Sequence, residues 1–338
     1  MPRKARIDAP GALHHIICRG IEKKRVFRNN ADRDSFLERL GDILFDTSTS
    51  CFAWALIPNH FHLLLRTGST SIATVMRRLL TGYAVTFNHR YKRHGQLFQN
   101  RYKSILCEEE TYLLELVRYI HLNPVRAGLV ADVDALDRYP YSGHAVLTGN
   151  RNNEWQDTGY ILARFGKHVS RARQRYREFM HDGVATGKRP ELTGGGLIRS
   201  LGGWKTAIKT LSRMDRLKGD ERILGNSDFV DETLRLAEEE LHRRDQLKLA
   251  GYGLDQLARD VAGLFDINPA RIFEAGKYPR IVQARGLLCY WGVRELGMTA
   301  TALAKKLNLS QPAVSMAVKR GQKLAREENY TLPTKINL

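Results

Sequence analysis

The sequence predicts an α+β fold, a small antiparallel sheet with helices on one face, followed by an all-α region. Three observations carry this. Up to Pro124, short β-like apolar runs alternate with amphipathic stripes in the order strand, helix, strand, strand, helix, strand, helix. Two of those runs are separated only by Pro58 and Asn59, a spacing that suits a tight antiparallel pair. From Asp228 onward the apolar stripes have helical spacing.

Taken in order, Leu13 to Cys18 reads as a first strand. Ala31 to Asp46 reads as a helix, with Phe36, Leu37, Leu40, Ile43 and Leu44 on one stripe behind an Asn30 cap. Cys51 to Ile57 and His60 to Arg66 form the antiparallel pair. Ile72 to about Arg90 is a basic helix, and Arg101 to Cys107 a further strand. Glu109 to Leu122 is a helix whose acidic first turn suits the macrodipole. Pro124 ends it, because the residue before a proline is pushed out of the α region. The sheet face without helices is then free to bind.

From Asp132 to about Asn226 the pattern weakens around Gly194 to Gly196 and Gly202-Gly203. No Gly-Lys-Ser/Thr follows, so this is not a phosphate loop. His168 to Asp182 reads as a helix whose Arg171, Arg173, Arg175 and Arg177 either touch phosphates or are simply solvated. The expected division is a sheet-bearing domain over 1–131, a connector with short helices over 132–227 and a helical domain over 228–338.

The 54 Lys+Arg against 36 Asp+Glu leave a formal charge of +18, which in a soluble protein points to a polyanionic partner, nucleic acid first. No Asp or Glu occurs between Asp46 and Glu108, while Arg66, Arg77, Arg78, Arg90, Lys92, Arg93, Arg101 and Lys103 all fall there. That stretch is expected to carry a positive field. The four cysteines are far apart with no C-x-x-C spacing, which indicates burial in a reducing compartment rather than disulfides or a zinc finger. The N-terminus lacks the apolar core of a signal peptide, and no apolar run is long enough to span a bilayer. The expected location is the cytoplasm, in association with the nucleoid, with no membrane partner.

The sharpest local signal is Pro58-Asn59-His60-Phe61-His62. On a strand, His60 and His62 project to one face and Phe61 to the other. At the opening of an apolar strand within the acid-free basic stretch, two adjacent imidazoles are best explained as ligands of a divalent metal. No Asp or Glu is near in sequence, so a third ligand has to come from elsewhere. Tyr119 and Asn123 are four apart on one helical face. The Asn123 amide oxygen can therefore reach the metal while the Tyr119 phenol points at substrate. Tyr112, nearer the helix start, reads as structural. Arg19, Arg101 and Lys103 are candidate phosphate holders together with Arg77 and Arg78, and Tyr102, Phe98 and Tyr83 are either core residues or platforms for unpaired bases.

These residues carry a family resemblance. His60-Phe61-His62 resembles the histidine-hydrophobic-histidine signature of the HUH single-tyrosine transposases, and the run from Val117 to Val125 resembles the nucleophile helix of the REP-associated tyrosine transposases. The likeness extends over roughly residues 8 to 145, through His14 to Gly20, Gly95 to Ser104 and Tyr139 to Ser142. It implies a ferredoxin-like catalytic domain, a Mg²⁺ or Mn²⁺ ion at His60 and His62, and Tyr119 as nucleophile. The implied substrate is single-stranded DNA folded into hairpins at imperfect palindromes. A homodimer is compatible with it.

In the last third, Thr299 to Leu307, a break at Asn308-Leu309 and a helix opening at Ser310-Gln311-Pro312 have helix-turn-helix spacing. Ser310 is a good cap, Pro312 is tolerated in a first turn, and Ala302, Leu303, Leu307, Val314 and Val318 supply the core. Gln311, Ser315, Lys319 and Arg320 then face outward, where Gln311 can read a base edge and the two cations can hold phosphates of duplex DNA. The alternative is a helical hairpin used only for packing. Gly276 to Arg285 followed by this pair resembles the DNA-binding domain at the C-terminus of the bacterial replication initiator, which implies duplex binding. The expected function is metal-dependent cleavage and transfer of single-stranded DNA through a 5′-phosphotyrosine. The rivals are a non-catalytic DNA-binding regulator of repeat elements and a nuclease that uses water.

Overall fold

The computed structural model describes residues 7–8, 11–68, 70–187, 189, 192, 220, 222–274, 276 and 278–332. They divide into two compact units, Met1–Thr233 and Leu234–Leu338. The glycine clusters at 194–196 and 202–203 lie outside the described residues.

In the first unit the expected order holds: β1 (Leu13–Arg19), α1 (Asn30–Thr47), β2 (Ser50–Ile57), β3 (His60–Arg66), α2 (Ile72–Arg90), β4 (Lys103–Cys107) and α3 (Glu109–His121). The cap of α1 is Asn29, whose side chain accepts from the Asp32 N–H, one residue before the expected Asn30. The strands lie in the order β2-β3-β1-β4 and are antiparallel, as the two-residue Pro58-Asn59 link between β2 and β3 requires. A two-residue strand β5 (Ile223–Leu224) adds parallel to β4, so the sheet is mixed, not purely antiparallel.

Alternation along the strands sends Ile16, Cys18, Trp54, Leu56, Phe61, Leu63 and Leu65 to one face, where α1 and α2 bury Phe36, Leu40, Val75, Leu79 and Tyr83 against them. The opposite face is not free, contrary to the sequence reading. Leu13, Ala53, Ala55, Leu64 and Ile105 pack there against Leu113, Leu116, Val117 and Ile120 of α3. The chain bends at Leu122 and continues as α4 (Asn123–Arg126), so Pro124 opens a new turn instead of ending helical structure. The short helices α5 (Val133–Leu136), α6 (His144–Leu147), α7 (Thr158–Leu162) and α8 (Val169–Asp182) add Leu136, Leu147, Ile161, Tyr176 and Met180 to that second core. The stretch read as a connector is thus, through its described helices, part of the first unit's interior.

A buried polar chain ties α8 to α3. The Tyr176 hydroxyl lies 2.7 Å from His121 Nδ1 and 2.8 Å from His144 Nδ1, while His144 Nε2 donates to Asp137 at 2.7 Å. Arg173, Arg175 and Arg177 of α8 are spent on the Leu147 and Phe165 carbonyls and on Asp137.

The second unit is helical. After α9 (Ser227–Leu249), within which the boundary falls, come α10 (Leu254–Phe265), α11 (Ala270–Phe273), α12 (Pro279–Arg294), α13 (Ala300–Leu307) and α14 (Gln311–Glu327). Thr299 and Ser310 cap the last two helices through the Ala302 and Ala313 N–H groups, and Asn308 makes the left-handed turn between them. Leu303, Leu307 and Val314 are buried as expected, with Ala304 and Ala317. A Cβ at Gly321 would stand 2.0 Å from the Gly286 carbonyl oxygen, so α12 and α14 cross at a distance only glycine allows. Among the described residues no helix is long and apolar enough to cross a membrane. All four cysteines are free and buried, and burial pushes their thiols up.

Candidate active site

Antiparallel pairing fixes which side chains share the second face. Arg19 stands opposite His60, and Ile17 opposite both His62 and Lys103. Arg19, His60, His62 and Lys103 therefore project together with His15 from the end of the sheet that α3 leaves partly open: Arg19 and Lys103 are exposed, His60 is half-buried, and His15 and His62 are buried. Helix α3 anchors on Leu116, Val117 and Ile120 and so holds Tyr119, half-buried, over the histidines. Its ring centroid is 5.8 Å from that of His62 and 5.9 Å from that of His15. The rings of His60 and His62 are 5.2 Å apart.

Residues after the bend fasten the tyrosine. The Asn123 amide nitrogen donates to the Tyr119 carbonyl at 3.0 Å, and Arg126 donates to the same oxygen at 3.1 Å. The Arg126 guanidinium also lies 5.2 Å from the centre of the Tyr119 ring. With its nitrogen engaged, Asn123 keeps its amide oxygen for another partner.

The histidines are held neutral. Burial, then the nearby Arg19 charge, lowers His60 to about 4. Burial, then His15, His60 and Arg19, lowers His62 well below the usual imidazole value. Burial also takes His15 to about 4, with Lys103 adding to it against the bond to Leu192. Neutral imidazole is the form that ligates metal. His60 places Nδ1 2.7 Å from the Asn59 side-chain oxygen, and His62 places Nδ1 3.0 Å from His15 Nε2. In both rings Nε2 is the nitrogen left for a ligand. Among the described residues no group of three His, Cys, Asp or Glu side chains is placed to hold a metal. Two neutral imidazoles are by their chemistry donors that suit a divalent transition-metal ion, which would need further oxygen ligands to complete its shell.

Neutral buried imidazoles also set an acid limit on stability. An unfolded chain protonates these rings near pH 6.5, whereas the folded chain resists until about pH 4 at His15 and His60, and burial lowers His121 and His144 as well. Between those values the unfolded state binds more protons, so stability is full above about pH 6.5 and falls with acidification. His15 alone accounts for up to about 3 kcal/mol. Melting temperature should decline steadily from pH 6.5 to 4.5, and a flat profile across that window would contradict neutral rings.

Other sequence candidates lie elsewhere. Helix α2 packs on the opposite face of the sheet, so Arg77 and Arg78 are exposed away from Tyr119, and Arg78 pairs with Asp46 at 2.6 Å. Arg101 is exposed just before β4, at the open end with Lys103. Tyr83, Phe98 and Tyr102 are core residues, and the Tyr83 hydroxyl donates to the Val26 carbonyl. Tyr112 packs on the second core. In the second unit Gln311, Lys319 and Arg320 are exposed and Ser315 half-buried, with the Gln311 amide donating to the Ser315 hydroxyl at 3.1 Å. Sequence reasoning missed His15 and Arg126 as members of the tyrosine site. The signal for His15 was parity: in an antiparallel β1–β3 pair, it shares a face with Arg19 and the two histidines.

Residues 10–123 match the family described as "Transposase IS200 like". No curated protein matches the chain. Among solved structures, one described as "Structure of the REP associates tyrosine transposase bound to a REP hairpin" is similar at 16% identity and a TM-score of 0.37, over 45% of this chain and 89% of that one. The likeness to tyrosine transposases carried by the histidine and tyrosine motifs is thus borne out for residues 10–123, the segment that matches the IS200-like transposase family.

Proposed function

We propose that this chain cleaves and rejoins single-stranded DNA at hairpin-forming repeats, with Tyr119 as nucleophile and a Mg²⁺ or Mn²⁺ ion bound by His60, His62 and Asn123. The observation that carries the reading is the seating of the Tyr119 ring 5.8 Å from His62, beside two neutral imidazoles and a rim of exposed cations. A buried core tyrosine would need neither neighbour. A water-using nuclease would not need the phenol.

Tyr119 Oη attacks the scissile phosphorus in line and forms a P–O bond to the tyrosine. The P–O3′ bond breaks, the phenol gives its proton to solvent, and the leaving oxygen takes one proton from solvent and departs as a free 3′-OH, so the step is proton-neutral overall. The product is a 5′-phosphotyrosine that conserves the bond energy, so attack by a 3′-OH rejoins the strand without a nucleotide fuel. When bound, the cation supplies Lewis acidity at a non-bridging phosphate oxygen. Asn123 and Arg126 fix the tyrosine backbone, and Arg126 places positive charge beside the ring. Arg19 and Lys103, at the exposed rim, hold flanking phosphates, with Arg101 beside them. Trapping on a hairpin substrate labelled at the nucleotide 3′ to the scissile phosphate, followed by peptide mapping, should place the adduct on Tyr119. A label on any other residue, or release of free 5′-phosphate with no adduct, would overturn the assignment.

The second unit is proposed to bind duplex DNA through α14. Gln311 and Ser315 lie one turn apart at its start, and Lys319 and Arg320 follow on exposed positions. Replacing both cations with alanine should lower duplex affinity about tenfold or more and reduce the salt slope by about 2. Unchanged slope in a filter-binding titration would remove α14 from the interface.

A further inference from the structure

We propose that His15 is a positioning residue that fixes the tautomer of His62, so that His62 presents a bare Nε2 to the cation. The proposal rests on the metal reading above and adds a residue to which no role has been assigned. Its basis is a directed chain of hydrogen bonds running inward from the site: His62 Nδ1 lies 3.0 Å from His15 Nε2, and His15 Nδ1 lies 3.1 Å from the Leu192 carbonyl oxygen. Both rings are buried, and they stack with centroids 5.2 Å apart.

Donor and acceptor roles along the chain follow from its far end. A carbonyl oxygen only accepts, so His15 Nδ1 carries the hydrogen and donates to Leu192. A neutral imidazole has one hydrogen, so His15 Nε2 is bare and accepts. The facing His62 Nδ1 must then be the donor, which leaves the lone pair of His62 on Nε2. Were His15 absent, no other hydrogen bond among the described residues would favour the Nδ1–H tautomer of His62, and the ring could equally carry its hydrogen on the nitrogen a cation needs. His60 reaches the same state by a shorter route, donating Nδ1–H to the Asn59 side-chain oxygen at 2.7 Å. The two imidazoles are thus set alike by different partners, one in the turn before β3 and one on the neighbouring strand β1. Fixing the ring orientation and tautomer of a ligating histidine through its second nitrogen is what outer-shell partners of metal sites do, and their loss weakens metal binding by about 10- to 100-fold.

The test reads the tautomer first and the metal second, on the full chain. With ¹⁵N-labelled histidine and no metal, long-range ¹H–¹⁵N spectra should show His62, assigned by the signal lost in His62→Gln, as the Nδ1–H form. An Nε2–H form would overturn the proposal whatever the metal does. Mn²⁺ binding followed by electron paramagnetic resonance should then weaken about 10- to 100-fold in His15→Phe. His15→Gln, whose amide can both accept from His62 and donate to Leu192, should stay within a few-fold of the unsubstituted chain. Equal Mn²⁺ affinity in a folded His15→Phe chain would also overturn it. If His15→Phe fails to fold, the spectrum of the unsubstituted chain still decides. If that chain shows the Nδ1–H form yet binds no Mn²⁺, the relay stands and the metal reading fails.

Discussion

Tyr119→Phe should abolish the covalent DNA adduct and lower strand cleavage on the order of 10⁴-fold or more, while hairpin binding stays within a few-fold. The expected size follows from what the substitution removes. A phenylalanine keeps the ring that packs against His15, His62 and Arg126, and the backbone carbonyl that Asn123 and Arg126 hold. Only the hydroxyl is lost, at a stability cost of no more than about 1 kcal/mol, the net worth of one hydrogen bond. The substituted chain therefore binds DNA through the same cationic rim but has no atom to bond to phosphorus. The three function classes separate on one gel. Cleavage that persists without an adduct identifies a nuclease that uses water. An adduct that persists identifies another nucleophile. Binding without cleavage in the unsubstituted chain as well identifies a regulator.

The parts of the fold legible in the sequence were those specified locally. Strand β3 and helix α2 begin and end where turn formers and apolar period placed them, and the α13–α14 pair follows from its two side-chain caps. What was not legible depended on contacts distant in sequence. The apolar stripe of α3 says that the helix is half-buried but not against which side of a sheet, so the sequence does not show that α3 covers the second face, as it does in the structure. The stretch without carboxylates looked uniformly positive, yet α1 and α3 bring acids to it. Arg90 pairs with Asp32 at 2.5 Å, Arg78 with Asp46, and Arg66 with Glu109. The exposed positive rim at the site is consequently narrower than the sequence suggested, and it centres on Arg19, Arg101 and Lys103 rather than on α2. His15 was hidden for the same reason as the α3 placement: its neighbour His62 is 47 residues away, and only the β1–β3 register brings the rings together.

His60→Ala should lower cleavage about 10²- to 10³-fold and remove its dependence on Mn²⁺ or Mg²⁺, an effect of about 3 to 4 kcal/mol on the barrier. His60 is the cleaner of the two histidines to replace. It stands half-buried at the first position of β3, so truncation opens no core cavity, whereas His62 is buried and bonded to His15. Melting temperature should therefore move little, and a chain that unfolds on this substitution would show that the ring is structural instead. The loss should be smaller than for Tyr119→Phe, because Arg19 stands opposite His60 in the register and Lys103 stays exposed at the same rim, so part of the charge on a five-coordinate phosphorus remains neutralised. That residual activity should be insensitive to chelator and strongly sensitive to salt, since only exposed cations would carry it. Full metal-dependent activity in the alanine variant would detach the cation from His60 and leave the imidazole pair as a neutral patch beside Tyr119.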